Sequence, residues 1–120
     1  MEELISEAAA VVFKEVGAGL SESVYQRALA MELRSHGHLV TTEVIFPVNF
    51  KGSQVGFIRA DIVIQDLDQT IILELKAKAS LSGADRIQAK TYKRFGDCSE
   101  VYLINFGATD ITVESTEDTE

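Results

Sequence analysis

A strand-like segment that ends in two charged residues is the first place in this sequence where chemistry can be expected. Residues 71–76 read Ile-Ile-Leu-Glu-Leu-Lys. Because side chains alternate along a strand, Glu74 and Lys76 share one face with Ile72, and the other apolar residues share the opposite face. A purely structural central strand would not place two charges on a face that it has begun to bury. Glu74 and Lys76 are therefore candidate functional residues.

An aspartate on the preceding strand is predicted to meet this glutamate. The loop 66–69 joins two predicted antiparallel strands, and its register places Asp61 opposite Glu74 and Arg59 opposite Lys76. Facing side chains have Cβ atoms about 5 Å apart, where like charges repel. Two carboxylates beside a lysine offer the oxygen ligands that a hard divalent cation needs. An ordinary salt-bridge cluster of the same four residues is the alternative, and spacing alone favours neither.

Polar residues on two predicted helices can join this pair. Glu22 begins the second helix on the face of Tyr25 and Leu29, so it is expected to face the sheet. The helix dipole also favours an acid in the first turn, which is the simpler explanation. Gln88 and Tyr92 are i, i+4 neighbours on the third helix. They could contact a phosphate or position a catalytic group, although a polar helix margin is the commoner case.

Hydrophobic periodicity predicts the elements that carry these residues. Three segments have apolar residues at helical spacing, and five are rich in β-branched and aromatic residues. The predicted helices are 2–16, 22–35 and 83–95, and the predicted strands are 41–50, 54–65, 70–76, 101–106 and 111–113. This order predicts an α/β or α+β sandwich with a mixed sheet. Pro47 is expected on an edge strand or at a bulge.

Composition limits the classes of function. The 120 residues carry a net charge of −8 and one cysteine, Cys98. This length predicts one domain, and one cysteine excludes a disulfide framework and a cysteine-based zinc site. The cysteine count suggests a reducing, cytoplasmic setting. No apolar run approaches the roughly 18 residues of a membrane span, and the start Met1-Glu2-Glu3 lacks the positive charge of a signal peptide.

Charge is distributed unevenly along the chain. Residues 76–94 contain six of the eleven basic residues and one acid, so this segment is +5 and the remainder is −13. Such a basic segment could receive a polyanion, although on charge alone a solvated helix face is the favoured explanation. Residues 114–120 are acidic and are expected to fray. The overall acidity argues against a protein that coats nucleic acid nonspecifically.

The candidate residues together resemble a known set of motifs. They are similar to those of the PD-(D/E)XK nuclease superfamily, and within it to the small bacterial group called GxxExxY proteins. The matching motifs are Gly19-Leu-Ser-Glu22-Ser-Val-Tyr25, Ala60-Asp61 with Glu74-Leu-Lys76, the Gln88-x-x-x-Tyr92 pair of RecB-like members, and the ending Leu103-Ile-Asn-Phe-Gly107. Two positions depart from the pattern: Ala60 stands where the superfamily has Pro, and Asp85 stands where the group has His.

The resemblance implies a fold and an activity. The fold is a restriction-endonuclease-like α-β-β-β-α-β core with a mixed central sheet and an extra N-terminal helix. It would form a single domain over residues 1–113, followed by a disordered tail at 114–120. The activity is a nuclease that uses Mg²⁺ or Mn²⁺ to hydrolyse nucleic acid, DNA more than RNA, in the cytoplasm. No membrane partner is implied, and a homodimer is left open.

The resemblance also implies a role for each residue near the metal. Asp61 and Glu74 would hold the ion together with the backbone carbonyl of Leu75. Glu22 would be an added acidic ligand or a water-positioning group. Lys76 would orient the attacking water, help it to lose a proton, or stabilise the charge that develops on the phosphate.

The remaining implied roles concern the substrate. Gln88 and Tyr92 would support Lys76 or touch the scissile phosphate. Arg86 and Lys90 lie on the basic third helix and would guide the nucleic-acid backbone.

Two other classes of function fit the same residues. One is a catalytically silent module that binds nucleic acid or protein on the same fold. The other is a structural or toxin–antitoxin-like interaction protein that dimerises through the strand 41–50. Small-molecule catalysis has no support, because Gly17-Ala-Gly19 lacks the preceding strand of a phosphate-binding loop. His36 and His38 have no nucleophile at a recognisable spacing.

Overall fold

Eight elements of secondary structure follow the predicted order. The computed structural model describes residues 1–66 and 68–116. The helices are α1 (Glu2–Val16), α2 (Glu22–Ser35) and α3 (Gly83–Phe95), and the strands are β1 (Leu39–Phe50), β2 (Ser53–Asp66), β3 (Gln69–Lys76), β4 (Glu100–Phe106) and β5 (Ile111–Ser115). All three helices have the predicted bounds, and each strand begins and ends within two residues of its prediction. Within the described residues, no helix combines the length and the apolar character needed to span a membrane.

The strands form one mixed sheet in the order β1-β2-β3-β4-β5. β3 and β4 are parallel, and the other neighbouring pairs are antiparallel. A parallel pair needs a crossover connection, and α3 supplies it. The predicted α+β class with a mixed sheet is therefore confirmed. β1 is an edge strand, as Pro47 predicts, and its register shifts between Val48 and Asn49.

Helices cover both faces of the sheet. On one face, α1 and α2 pack against alternate residues of β2 and β3, including Ile62 and Leu73. On the other, α3 packs through Ala89 and Tyr92 against residues such as Ile72. The strand 101–106 is buried along its whole length, as its apolar sequence predicts. This arrangement directs Glu74 and Lys76, which lie on the same face of β3 as Ile72, toward the α3 side.

The alternation of side chains in β1 and β2 is interrupted at one point, so that residues two or four apart lie on opposite faces of the sheet. Val40 and Ile62 belong to the core under α1 and α2, whereas Val44 and Ala60 pack on the α3 side. The pairing of the two strands skips one position, where Glu43 would meet Asp61. Glu43 has a φ of 54°, which is rare for a residue with a side chain and locally breaks the strand geometry. The irregularity therefore lies directly beside the predicted catalytic aspartate.

Strand β5 extends into the segment that was predicted to fray. Glu114 and Ser115 belong to β5, and Ser115 and Thr116 are buried. The expectation that the chain frays from residue 114 is wrong for these three residues, because β5 pairs with β4 and Glu114 binds Arg86. The rest of the predicted tail, 117–120, lies outside the described residues.

Candidate active site

Asp61 and Glu74 meet where the ladder between β2 and β3 ends. The predicted register holds from Asp66 as far as the pair of Ile62 and Leu73. Beyond it, the Asp61 carboxylate takes the place of a backbone partner, and its Oδ2 accepts a hydrogen bond from the Leu75 N–H at 2.7 Å. This position brings the Asp61 carboxyl group within hydrogen-bonding distance of the Glu74 carboxyl group. Glu74 is only 5% exposed. The predicted meeting of the two carboxyl groups therefore occurs, through a broken ladder rather than a regular one.

Arg59 does not lie opposite Lys76 as the simple register predicted. Its guanidinium faces Glu43, with 3.6 Å between Nη1 and Oε1, and both side chains are more than half exposed. The prediction fails because the ladder stops at Ile62, three residues before it reaches Arg59. Its charge nevertheless contributes to lowering the pKa of Asp61, so Arg59 belongs to the electrostatic surroundings of the site.

Lys76 projects from the last residue of β3 and is held by α3. Its Nζ donates to Gln88 Oε1 at 2.8 Å and lies 3.5 Å from Glu74 Oε2. The Lys76 side chain is 16% exposed, so the ammonium is reachable from solvent but its position is constrained. Gln88 thus contacts Lys76, in agreement with one of its two predicted roles.

Tyr92 is buried, and its hydroxyl contacts Glu74. Its hydroxyl lies 2.9 Å from Glu74 Oε1 and 2.5 Å from the backbone carbonyl oxygen of Arg59, and it donates toward both. A phenol has one proton for these two acceptors. Because the ring is 2% exposed, a phosphate in solvent cannot reach the hydroxyl. The two roles predicted for Tyr92 were support of Lys76 and contact with a phosphate. Its side chain instead contacts Glu74.

Burial raises the pKa values of both carboxyl groups. Desolvation is the main cause that raises the pKa of Glu74 to about 7, and the neighbouring Asp61 charge adds to the shift. The pKa of Asp61 is also raised, chiefly by burial, although the Leu75 N–H opposes the shift. One proton is therefore easily retained by the pair near neutral pH. A cation placed between the two groups would oppose both shifts, because its charge favours the ionised carboxylates.

Glu22 does not join the pair. It is the first residue of α2 and is exposed, so the expectation that it faces the sheet is wrong. Its carboxylate is instead placed where water and the helix dipole both stabilise it. Among the residues that the structure describes, no group of three or more His, Cys, Asp or Glu is arranged to hold a metal ion. The carboxylates brought together are thus two, Asp61 and Glu74.

The motif that contains Glu22 has a structural role at its other end. The Tyr25 hydroxyl donates to the Gly17 carbonyl oxygen at 2.7 Å, and its ring stacks on Phe106 with centroids 4.3 Å apart. Gly19, with a φ of 90°, allows the loop to turn into α2. This loop, together with the ends of β3 and β4, lines a cleft of about 460 Å³.

Most of the basic segment is already paired. Arg86 donates from Nε and Nη2 to the Glu114 carboxylate at 2.8 and 2.9 Å, so its predicted contact with nucleic acid would have to replace that pair. Lys78 binds Asp85, and Lys93 donates to the Ser99 carbonyl oxygen. Lys90 is half-buried on α3. The net charge of +5 in the sequence therefore does not correspond to an equally positive surface.

Sequence reasoning missed the clamp that holds the loop after β3. The Asn105 amide, 3% exposed, accepts from the Lys78 N–H at 3.1 Å and donates to the Lys78 carbonyl oxygen at 2.8 Å. Asp85 binds Lys78 Nζ at 2.8 Å and forms a capping box with Ser82 at the start of α3. A single amide in the apolar strand 101–106 was the available signal. The clamp positions α3, which in turn carries Gln88 and Tyr92.

The donor atoms at the pair suit a hard divalent cation. Two adjacent carboxylates with raised pKa values supply oxygen ligands and share one ammonium, that of Lys76, 3.5 Å from Glu74. Mg²⁺ is commonly bound through one or two carboxylates, with water and substrate phosphate completing its coordination. Two adjacent carboxylates beside a partly exposed lysine fit that requirement.

Comparison with known proteins gives a consistent picture. The family model of the PD-(D/E)XK nuclease superfamily matches residues 1–117. No curated protein matches the chain. Among solved structures, SSO0001 is similar with a TM-score of 0.59 and 22% identity over 78% of this chain and 49% of that one, so the chain spans about half its length. Hjc from Archaeoglobus fulgidus, a Holliday junction resolvase, is similar with a TM-score of 0.53 and 20% identity over 80% of this chain and 73% of that one.

Proposed function

Because the chain belongs to the PD-(D/E)XK nuclease superfamily, we propose that it is a metal-dependent nuclease that hydrolyses phosphodiester bonds of DNA. The observation that carries the proposal is the meeting of Asp61, Glu74 and Lys76 at the end of the β2–β3 ladder. A structural ion-pair cluster would bring a cation directly to each carboxylate. Among the described residues, Lys76 is the lysine that contacts the pair; its ammonium is 3.5 Å from Glu74 and closer to an amide oxygen, so two carboxyl groups share it.

Asp61 and Glu74 would hold Mg²⁺ or Mn²⁺, and the backbone carbonyl of Leu75 would add a ligand. When bound, such an ion polarises a phosphoryl oxygen and lowers the pKa of a coordinated water. Asp61 is fixed for this task by the Leu75 N–H, and Glu74 is fixed by Tyr92. Both carboxyl groups are thus oriented before any ligand arrives.

Lys76 would act on the reacting groups. Its ammonium, held by Gln88, can donate to the attacking water or to a non-bridging phosphate oxygen and so stabilise the negative charge that develops there. Glu22 is exposed at the start of α2, and we assign it a role through a water molecule rather than as a direct ligand. Arg86 and Lys90 would contact the DNA backbone, Arg86 only after it leaves Glu114.

The finer features of the function follow from resemblance and similarity. The resolvase to which the chain is similar acts, by its name, on Holliday junctions, which makes branched DNA the first substrate to test. Preference for DNA over RNA, a cytoplasmic location, a homodimer and membership of the GxxExxY group stay predictions.

Cleavage assays with matched variants test the proposal. Purified protein is incubated with branched, single-stranded and duplex DNA in Mg²⁺, in Mn²⁺ and in EDTA. We expect cutting with either metal and none in EDTA. Lys76→Ala should abolish cutting and leave the thermal transition in place. Lys14→Ala is the control, because Lys14 is an exposed lysine on α1, on the opposite face of the sheet.

Calorimetry separates a nuclease from a silent binding module. Mg²⁺ or Mn²⁺ uptake should be weakened by Asp61→Asn and retained by Lys76→Ala, since the lysine is not a ligand. Metal uptake without cutting of any substrate would favour the silent module. If neither metal uptake nor cutting is observed, the proposal is wrong and an interaction protein is left.

A further inference from the structure

The β1–β2 hairpin extends well beyond the rest of the sheet. β3 pairs with β2 only at Ile62–Asp66, whereas β1 pairs with β2 from Ser53 to Gln65. Residues 44–60, here called the distal ribbon, therefore form a two-stranded ribbon for most of their length. Two-stranded ribbons are marginally stable in water and gain from a further contact. The chain measures 46 Å along its longest axis and 24 Å along its shortest, as a projecting arm requires.

One face of the distal ribbon is apolar and exposed. Ile45 lies opposite Arg59, and Pro47 lies opposite Phe57, so these four side chains share a face. The other face, with Phe46 and its neighbours, packs toward α3. Ile45 and Phe57 on the open face, and Val55 and Phe50 nearer the tip, are all more than half exposed, and the two aromatic residues are 60% and 61% exposed. Isolated exposed apolar residues are ordinary, but a cluster of this kind indicates a contact surface.

The charge of the distal ribbon differs from that of the whole chain. It contains Lys51 and Arg59 and no acidic residue. Because the chain carries −8, the ribbon is +2 and the remainder is −10. Lys51 lies over the Phe50 ring at 5.3 Å. Arg59 pairs with Glu43, an exposed residue that directly precedes the ribbon. A polyanion is therefore attracted to the ribbon and repelled by the rest of the molecule.

The ribbon begins at the candidate active site. The Arg59 carbonyl oxygen accepts the hydrogen bond from Tyr92, and Asp61 follows two residues later. At about 3.3 Å per residue, Phe57 lies roughly 13 Å along the strand from Asp61. Phe57 points away from α3, whereas Glu74 and Lys76 lie on the α3 side. A nucleic-acid strand cleaved beside Asp61 would therefore reach Phe57 by crossing the edge of β2 before Ile62, which β3 does not pair.

We propose that the distal ribbon binds the substrate of the proposed nuclease, and that this substrate is DNA with unpaired bases next to the cleaved bond. Phe57 and Phe50 would stack on unpaired bases, which is favourable with any base because each has a π-face. Lys51 would neutralise a phosphate of the same strand, and Arg59 would do so after it leaves Glu43. The inference rests on the proposed function, since it names the form of DNA that the same site receives.

A second copy of the chain explains the surface less well. Two ribbons that meet would bring like charges together. Two phenylalanine rings at 60% exposure and two aliphatic side chains present roughly 400 Å² in all, about half of the 800 Å² that each partner contributes to a standard interface. Nucleic acid satisfies both the apolar and the charged residues of the ribbon.

Binding measurements on single variants test the inference. Fluorescence anisotropy is recorded in EDTA, so that no strand is cut, with labelled single-stranded, gapped and uninterrupted duplex DNA of one sequence. Phe57→Ala should weaken binding to the single strand and the gapped duplex roughly tenfold or more, and Phe57→Tyr should restore it. Lys51→Gln should lower the slope of log Kd against log salt by about one unit. Met31→Ala, at a 70% exposed residue of α2, is the control and should change nothing.

The outcomes separate this inference from the proposed function. Equal affinity of wild type, Phe57→Ala and Phe50→Ala for every DNA would overturn the inference, even if the protein cuts DNA. A dimer in sedimentation that dissociates on Phe57→Ala, with DNA affinity unchanged, would assign the ribbon to a second copy instead. If no DNA is cut in Mg²⁺ or Mn²⁺ but Phe57→Ala still weakens binding, the proposed function fails and the ribbon remains a DNA-binding surface.

Discussion

Two buried carboxylates lie at opposite ends of the same helix interface and behave in opposite ways. Glu74 is 5% exposed and Asp85 is 7% exposed. The pKa of Glu74 rises to about 7, with burial as the first cause and the Asp61 charge as the second. The pKa of Asp85 falls to about 2, chiefly because Lys78 binds it directly and Ser82 donates to it. Two side chains of similar exposure thus have pKa values shifted in opposite directions, with burial as the first cause at Glu74 and the Lys78 hydrogen bond as the first cause at Asp85.

The difference lies in the partners that each carboxylate has. Asp85 receives the Lys78 ammonium at 2.8 Å, the Ser82 N–H at 2.8 Å and the Ser82 hydroxyl at 3.1 Å. Glu74 receives a phenol and, at 3.5 Å, an ammonium that is bound to an amide. The Asp85 site is complete within the chain and stabilises the fold. The Glu74 site has two adjacent carboxyl groups and one ammonium at 3.5 Å, so it can accept the further positive charge of a cation.

The largest effect that tests this comparison is on cleavage. Glu74→Gln should lower the cleavage rate in Mg²⁺ by about 10³-fold or more, because it removes the charge that would hold the ion. Asp85→Asn should leave the rate within about tenfold, because Asp85 contacts none of the reacting atoms. Steady-state cleavage of branched DNA by the two variants, with melting curves to confirm folding, measures both. Equal losses would contradict the division of the two carboxylates into a site and a clamp.

The second effect is the pH dependence of stability without metal. The folded pKa of Glu74, about 7, exceeds its ordinary value of 4.5, so the folded state binds more protons between these pH values. The stability that Glu74 contributes is full below pH 4.5 and is lost as pH rises through 7, by up to about 3 kcal/mol. Chemical unfolding in EDTA between pH 4.5 and 8 should show this fall in the wild type.

Glu74→Gln is the control for that fall. The amide keeps an acceptor for Tyr92 but does not titrate, so the variant should lose the slope and be more stable than the wild type at pH 8. Mg²⁺ should stabilise the wild type more at pH 8 than at pH 5 and should have little effect on the variant. A wild type whose stability rises between pH 4.5 and 7 would show that burial does not dominate at Glu74.

The sequence predicted the elements and the carboxyl pair for the same reason. Periodic apolar residues bounded by Gly17, Ser82 and Gly96 define the helices, and strict alternation places Glu74 on the α3 side. The failures have a common cause as well. Register arithmetic from the hairpin assumes an unbroken ladder, and nothing in the sequence signals that Glu43 takes a positive φ beside Asp61. The ladder therefore ends before Arg59, and the partner of that residue was predicted incorrectly.

Contacts made by loops were also beyond prediction. The Lys78–Asp85 pair depends on the path of residues 77–82, which the Asn105 amide fixes from a different strand. The exposure of Glu22 depends on where α2 begins relative to the sheet. Neither quantity follows from periodicity, which specifies the face of a helix or strand but not the position of its ends relative to other elements.

The third effect is on stability at the Asp85 site. Asp85→Asn should cost about 1–2 kcal/mol at pH 7, because it removes a direct ion pair whose lysine is partly exposed to solvent. Since the folded pKa of Asp85 is about 2 and its ordinary value is 3.8, this stability is present above pH 3.8 and is lost as pH falls toward 2. Unfolding of the variant and wild type at pH 7 and pH 3 measures the difference, which should shrink at the lower pH. A constant difference would assign the effect to the capping box rather than to the charge.

The smallest effect concerns the hydroxyl that links the two parts of the comparison. Tyr92 on α3 donates to Glu74 and so lowers the pKa of that carboxyl against the effect of burial. Tyr92→Phe should cost about 1 kcal/mol of stability and raise the pKa of Glu74 further. The pH at which the cleavage rate is half-maximal should then move upward, while the rate at high pH recovers to within about tenfold of the wild type. Tyr102→Phe is the matched control, because it removes a hydroxyl bound to Glu100, away from the pair. A uniform loss of rate at every pH would mean that Tyr92 supports the packing of α3 and does not tune the glutamate.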